Sequence, residues 1–201
     1  MKTFSILLQL AGLGAVLYSL WFLLDGTEYQ YAQRTAFHHT SALTESIPSE
    51  TLRPVTVAAI PLPSAEADTR LLGELRIPNV NLDVMVGEGL DKQTLRRAVG
   101  HLAVSARPGE LGNLVLLGHR DTFFRPLRKL RRGDIAEVRT KAGVFRYRIE
   151  VIKIVKPHHV DLKLGTDHAT ISLVTCYPFY YVGPAPQRFV AQGRLIEHPG
   201  K

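Results

Sequence analysis

Ala169-Thr170-Ile171-Ser172-Leu173-Val174-Thr175-Cys176-Tyr177-Pro178 reads as a strand with a stop built into its end. Ile171, Leu173 and Val174 give Ala169 to Val174 the apolar content of a β-strand. Tyr177-Pro178 closes it, because proline has no N–H to give a ladder. Cys176, the only cysteine among 201 residues, therefore lies at a strand end. A lone cysteine forms no intramolecular disulfide, so it is either a structural passenger or a free reactive thiol. Inert cysteines are buried in apolar surroundings, and reactive ones are partly exposed. Position alone leaves both readings open.

Short strands continue on either side of this one. Leu72 to Ile77 alternates and ends at Pro78, and Leu82 to Val86 follows, with Asn79 marking a tight turn between them. Asp91 is placed to cap a short helix over Lys92 to Val99, with Leu95 and Val99 on one face. Leu114-Val115-Leu116-Leu117 is wholly apolar and reads as a buried strand. Ala136 to Arg139 and Val144 to Ile149 bracket a turn at Lys141-Ala142-Gly143. Val151 to Val155 extends the second of these or begins another strand, and Phe189 to Ile196 is the last. About eight short strands with little helix predict a mainly β fold closed into a barrel rather than an open sheet. A 45% hydrophobic content with 16 glycines and 12 prolines agrees with one turn-rich domain carrying extensions. There is no internal repeat, glycine-rich phosphate loop or metal-ligand spacing, so no cofactor and no metal are expected.

The extensions lie at the N-terminus. Phe4 to Leu24 is apolar apart from Ser5, Gln9, Tyr18 and Ser19. As a helix it would span ~31 Å at about 1.5 Å per residue, enough for a bilayer. No small-residue cleavage site precedes Asp25, which favours an uncleaved anchor over a removable signal. Lys2 precedes the segment, while Asp25 and Glu28 follow it, so the N-terminus is expected in the cytoplasm and the rest outside. Pro48, Pro54, Pro61 and Pro63 then make a semi-extended linker. The expected organisation is an anchor over residues 1–25, a stalk and proline-rich linker over 26–70, and a domain over 71–201.

Lys and Arg number 25 against 18 Asp and Glu, a net charge of +7. Such a balance suits anionic surroundings: nucleic acid, anionic lipid or an anionic cell-wall polymer. Export makes nucleic acid the weakest of these, and no nucleic-acid partner is expected. The cations crowd into Arg125-Pro126-Leu127-Arg128-Lys129-Leu130-Arg131-Arg132, whose plainest reading is a solvated face.

A cysteine nucleophile needs a proton-transfer partner and a group to hold a developing oxyanion. Of the eight histidines, His38 and His39 lie in the stalk, His158, His159 and His168 in polar loops, and His198 near the terminus. His119, in Leu116-Leu117-Gly118-His119-Arg120-Asp121, ends a buried strand as Cys176 does, and two such ends can converge at one rim of a barrel. Asp121 is either an orienting partner for the imidazole or an acceptor of turn hydrogen bonds. His101 reads as a satisfied structural histidine. Arg188, in a loop feeding the last strand, can return beside Cys176 through a hairpin-like turn. Its guanidinium offers five donors and keeps its charge. A surface arginine is the plainer reading of that residue taken alone.

From Gly73 to Glu197 the chain resembles the sortase family of membrane-anchored cysteine transpeptidases. Ser172-Leu173-Val174-Thr175-Cys176 matches the family's Thr-Leu-x-Thr-Cys, with serine replacing the first threonine. His119 matches the family histidine and Arg188 the family arginine. Arg107-Pro108-Gly109-Glu110-Leu111-Gly112-Asn113 resembles the Pro-Gly-x-x-Gly-Asn stretch that leads into the histidine strand. Gly118-His119-Arg120-Asp121-Thr122-Phe123-Phe124-Arg125-Pro126-Leu127, with Cys176-Tyr177-Pro178-Phe179, looks like class D. The resemblance implies an eight-stranded barrel and two-step acyl transfer. Cys176 would attack a C-terminal LPxT-like sorting motif of an exported protein, His119 would move the proton, and Arg188 would hold the oxyanion. Thr175 would support substrate contact. An envelope amine, from a peptidoglycan precursor or a pilin lysine, would resolve the thioester. Three other readings stand beside it. A pilin-polymerising sortase often carries an Asp-Pro-aromatic lid, and the linker has no Asp-Pro pair. An LD-transpeptidase would need a Ser-x-Gly-Cys style motif, which is absent. The last is a non-catalytic, membrane-tethered peptide-binding β-domain.

Overall fold

The computed structural model describes residues 12–14, 16, 30–31, 33–35, 71–181 and 183–199. Most of the expected anchor over Phe4 to Leu24, and all of residues 41–70, lie outside them. Residues 12–14 and 16 are helical, and among the described residues no helix is long and apolar enough to cross a membrane.

The domain contains eight strands: β1 (Leu71–Ile77), β2 (Leu82–Glu88), β3 (Val99–His101), β4 (Gly112–Leu117), β5 (Ile135–Thr140), β6 (Gly143–Val155), β7 (Ala169–Tyr177) and β8 (Gln187–Glu197). They close in the order β1-β2-β3-β4-β7-β8-β6-β5, with β5 pairing back onto β1. Two neighbours are parallel, β2 with β3 and β4 with β7, and each needs a crossover. The first crossover carries the single α-helix of the domain, α1 (Lys92–Arg97).

The closed barrel agrees with the strand reading; one membership differs, and one left open is decided. The helix capped by Asp91, which accepts from the N–H groups of Gln93 and Thr94 at 3.0 Å, ends at Arg97 rather than Val99. Val99 opens β3 instead, pairs with Val86 and is fully buried. A three-residue strand is too short to show a period in sequence. Val151 to Val155 begins no new strand: it continues β6 past a register shift between Ile149 and Val151. Such a bulge bends a long strand around a barrel. The turn after β1 also differs in detail. Asn81 takes the left-handed conformation (φ 53°), while the Asn79 side chain donates to Asp134 at 2.7 Å.

Side chains of alternating strand positions fill the barrel: Leu75 and Ile77, Leu114 and Leu116, Tyr147 and Ile149, Ile171 and Leu173 are essentially inaccessible. The Gly109 N–H donates to the buried Tyr147 hydroxyl at 2.9 Å, and burial pushes that phenol up to about 12. Gly109 (φ 83°) lies where a Cβ would fall 2.2 Å from the Phe145 ring. Gly112 (φ 114°) would set one 2.9 Å from the Leu164 carbonyl. Close approach at left-handed backbone explains both glycines of the stretch leading into β4.

Part of the expected stalk touches the barrel. The Gln30 amide accepts from the Met85 N–H at 2.7 Å and donates to the Arg97 carbonyl at 2.5 Å. Arg34 donates to Asp83 at 2.9 Å and pairs with Glu74 at 3.2 Å. Glu74 is only 2% exposed, and burial, with Asp83 beside it, raises its carboxyl to about 7 despite Arg34 and Arg139. The folded state therefore holds this proton more tightly than the unfolded chain. The stabilising contribution is complete below the ordinary carboxylate range and is lost as pH rises through about 7. Glu74→Gln should flatten this part of the stability profile and raise the melting temperature at pH 8. Thermal melts of the full chain from pH 4 to 8 test this, and an unchanged slope would refute it.

Candidate active site

β7 presents Ile171 and Leu173 to the barrel core and Ser172, Val174 and Cys176 to its outer face. The antiparallel register with β8 places Arg188 directly opposite Cys176 and Val190 opposite Val174. On the other side, parallel β4 sets Leu117 level with Val174. β4 ends there, and His119 follows two residues later, outside the strand. The end of β4 is tied down twice: the Gly118 N–H donates to the Val174 carbonyl at 3.3 Å, and the Thr175 hydroxyl donates to the Gly118 carbonyl at 2.7 Å. Cys176 and Arg188 thus pair on one face, and the two bonds at Gly118 fasten the backbone leading into His119 to the same strand end. Cys176 and Arg188 are half-buried and His119 is exposed. Cys176 forms no disulfide.

Thr175 itself points inward and is 3% exposed, so its hydroxyl holds the backbone immediately before His119. Thr175→Val should leave the Gly118 carbonyl without that donor and cost about 1–2 kcal/mol. Denaturant unfolding measures the loss, and an unmoved midpoint would show that the bond does not hold the two strand ends together.

Arg188 is held by its own loop, Nη1 donating to the Gln187 carbonyl at 2.9 Å and the Ala185 carbonyl at 3.2 Å. Among the described residues no carboxylate lies within salt-bridge distance of it, so its charge stays available at the rim. His101 is 1% exposed, its ring 3.0 Å from a Glu88 oxygen, 3.1 Å from Ser105 Oγ and 3.2 Å from the Ala106 carbonyl. Every ring nitrogen is occupied in holding a turn. Asp121 is exposed and makes no side-chain hydrogen bond among the described residues. His158 and His159 are exposed on the crossover to β7, and the His198 ring packs edge-on to Phe145.

The sequence reading passed over Arg120. Its Nη2 donates to the carbonyls of Tyr181 (2.6 Å) and Gly183 (2.9 Å), and its guanidinium lies 5.7 Å from the Tyr181 ring centre. The residue after His119 thereby fastens the loop that joins Cys176 to Arg188. Only its place beside His119 hinted at this.

From the rim an apolar strip runs back along the outer face. Val115, Val174 and Val190 are buried there beneath Val160 and Leu162 of the β6–β7 loop, with Leu102, Leu117 and Val155 at the edges. Among the described residues no group of three or more ligating side chains could hold a metal ion. A thiol, an imidazole and a fixed guanidinium beside an apolar strip have the makings of covalent acyl transfer from an extended peptide.

The sequence profile of the Sortase domain matches residues 75–196. The chain belongs to the sortase family. Sortase D of Bacillus subtilis (strain 168) is 39% identical over 125 residues, covering 62% of this chain and 63% of its own. Sortase A of Listeria monocytogenes is 26% identical over 129 residues, covering 62% and 56%. The chain thus spans about three-fifths of the length of these two relatives, and the higher identity supports class D. Sortase C1 of Streptococcus agalactiae superposes with a TM-score of 0.60 at 27% identity, over 66% of this chain and 71% of that one. A Clostridium perfringens sortase D5 transpeptidase superposes at 0.61 over 86% and 98%; at 22% identity it speaks for the sortase fold alone.

Proposed function

We propose that this protein is a sorting transpeptidase that cleaves a C-terminal LPxT-like motif of exported proteins and passes the acyl group to an envelope amine. The observation that carries this reading is the register of Cys176 against Arg188 on one barrel face, with the β4 end bearing His119 tied to the same strand. The Cys176 thiolate adds to the threonine carbonyl, and the oxyanion that forms lies within the field of Arg188. As the intermediate collapses, the C–N bond breaks and His119 gives its proton to the departing amine. A second amine then attacks the thioester, His119 takes its proton, and the cysteine leaves as thiolate. The Phe4 to Leu24 segment would tether the enzyme, with its N-terminus cytoplasmic and the catalytic domain outside.

Incubating the full-length protein with an LPxT-containing peptide should give a Cys176 adduct by intact mass, released as a hydroxamate by hydroxylamine. No adduct, or one that hydroxylamine leaves intact, would sink the acyl-enzyme reading.

A further inference from the structure

The basic segment from Arg125 to Arg132 lies on the connection from the C-terminal end of β4 to the N-terminal end of β5. β4 is parallel to β7, so the segment sits at the barrel end that carries Cys176. A 3-10 helix over Arg125–Lys129 is pinned by Leu127, and Leu130 follows it into the core. Arg125, Arg128, Lys129, Arg131 and Arg132 all face solvent. In a 3-10 helix residues i and i+3 eclipse, about 6 Å apart along the axis, so Arg125 and Arg128 stand in one row. The Arg128 guanidinium lies 5.4 Å from the Tyr180 ring centre, a contact that positions the charge without cancelling it. Among the described residues none of the five side chains is within salt-bridge distance of a carboxylate. Every exposed side chain from 125 to 132 is a cation, so the ridge offers charge and nothing by which to read a side chain.

We infer that this ridge docks the enzyme onto a linear phosphodiester polyanion outside the bilayer. Guanidinium forks match phosphate oxygens in pairs. A phosphodiester chain carries a charge on each repeat, so any stretch of it fits the row, and five like charges attract it from a distance. An acidic protein would need side-chain contacts to be told from its rivals, and the ridge supplies none. Strand direction separates this partner from the bilayer itself. Gln30 meets Met85 and Arg34 meets Asp83, so from Arg34 back to Gln30 the chain moves toward the C-terminal end of β2. β2 is parallel to β3, β3 antiparallel to β4, and β4 parallel to β7, so β2 runs against β7. The described chain therefore heads for its N-terminus at the barrel end opposite Cys176 and the ridge. The choice of partner rests on the tether reading above: with Phe4 to Leu24 in the bilayer, the ridge faces away from it.

The test titrates full-length protein in non-ionic detergent into a fluorescent poly(glycerol phosphate). R125Q/R128Q/R131Q should bind about tenfold more weakly, the scale of three exposed charge pairs. Added salt should weaken the wild type more than this variant. R148Q/K163Q/R194Q removes the same charge from exposed positions elsewhere and should bind like the wild type. Both variants should melt within a few degrees of the wild type. Equal losses in the two variants, or no loss in the first, would overturn the assignment. Tighter binding of a polyglutamate of equal charge would give the ridge to a protein and overturn it too. In lipid nanodiscs at about 0.1 M salt, where charges more than about 10 Å apart are largely screened, the polymer should bind alike on neutral and anionic lipid. Binding lost on anionic lipid alone would give the surface to the bilayer and end the proposal. A chain that does not enter the discs would sink the tether reading alone, since the detergent arm uses no bilayer.

Discussion

Cys176→Ala is expected to abolish sorting-peptide cleavage, a loss on the order of 10⁴ or more, as for deletion of the nucleophile in other covalent enzymes. No second cysteine exists to take over. The fold should survive, because the side chain is half-buried at a strand end and closes no disulfide. Melting should shift by only a few degrees while the acyl adduct disappears. His119→Ala should come close to the same loss, since the departing amine would have no proton donor. His101→Ala should behave in the opposite way. It leaves Glu88, Ser105 and the Ala106 carbonyl without their shared partner inside the protein. It should therefore lower the melting temperature while keeping most of the turnover per folded molecule. Peptide kinetics with a melt of each variant decide the matter. Cleavage at the wild-type rate without Cys176 would end the model, and equal kinetic losses at both histidines would leave the proton carrier unassigned.

Arg188→Ala should reduce kcat by roughly 10²–10³, the usual consequence of removing one oxyanion donor at about 3 kcal/mol. KM should move much less, because charge on the carbonyl oxygen is fully developed only in the transition state. The arginine is well placed for this. Its Nη1 is fixed by two carbonyls of its own loop, and its backbone pairs with that of Cys176. Arg188→Lys keeps the charge but loses the planar fork, so rescue should be partial. A purely structural arginine would give lowered melting with near-normal turnover. A variant that melts and turns over normally would remove Arg188 from the site.

Much of this was legible in the residue order. Strand stops at Pro78 and Pro178, the apolar run at Leu114 to Leu117 and the Asp91 cap are local signals. They act through backbone chemistry within a few residues, so they survive translation into structure. The pairing of Cys176 with Arg188 was also within reach, because a hairpin return is a local event. Other features depended on contacts between distant segments. Val99 belongs to a strand because Val86 lies beside it, and residues 151–155 stay in β6 because β8 pairs along its length across a bulge. Thr175 faces inward and Arg120 spans two loops, and nothing in their neighbours announces either. By itself the sequence determined where strands end and which side chains are chemically able to act. Barrel closure decided which of those ends meet and which charges go unpaired, since register and burial are properties of partners that the local chain does not contain.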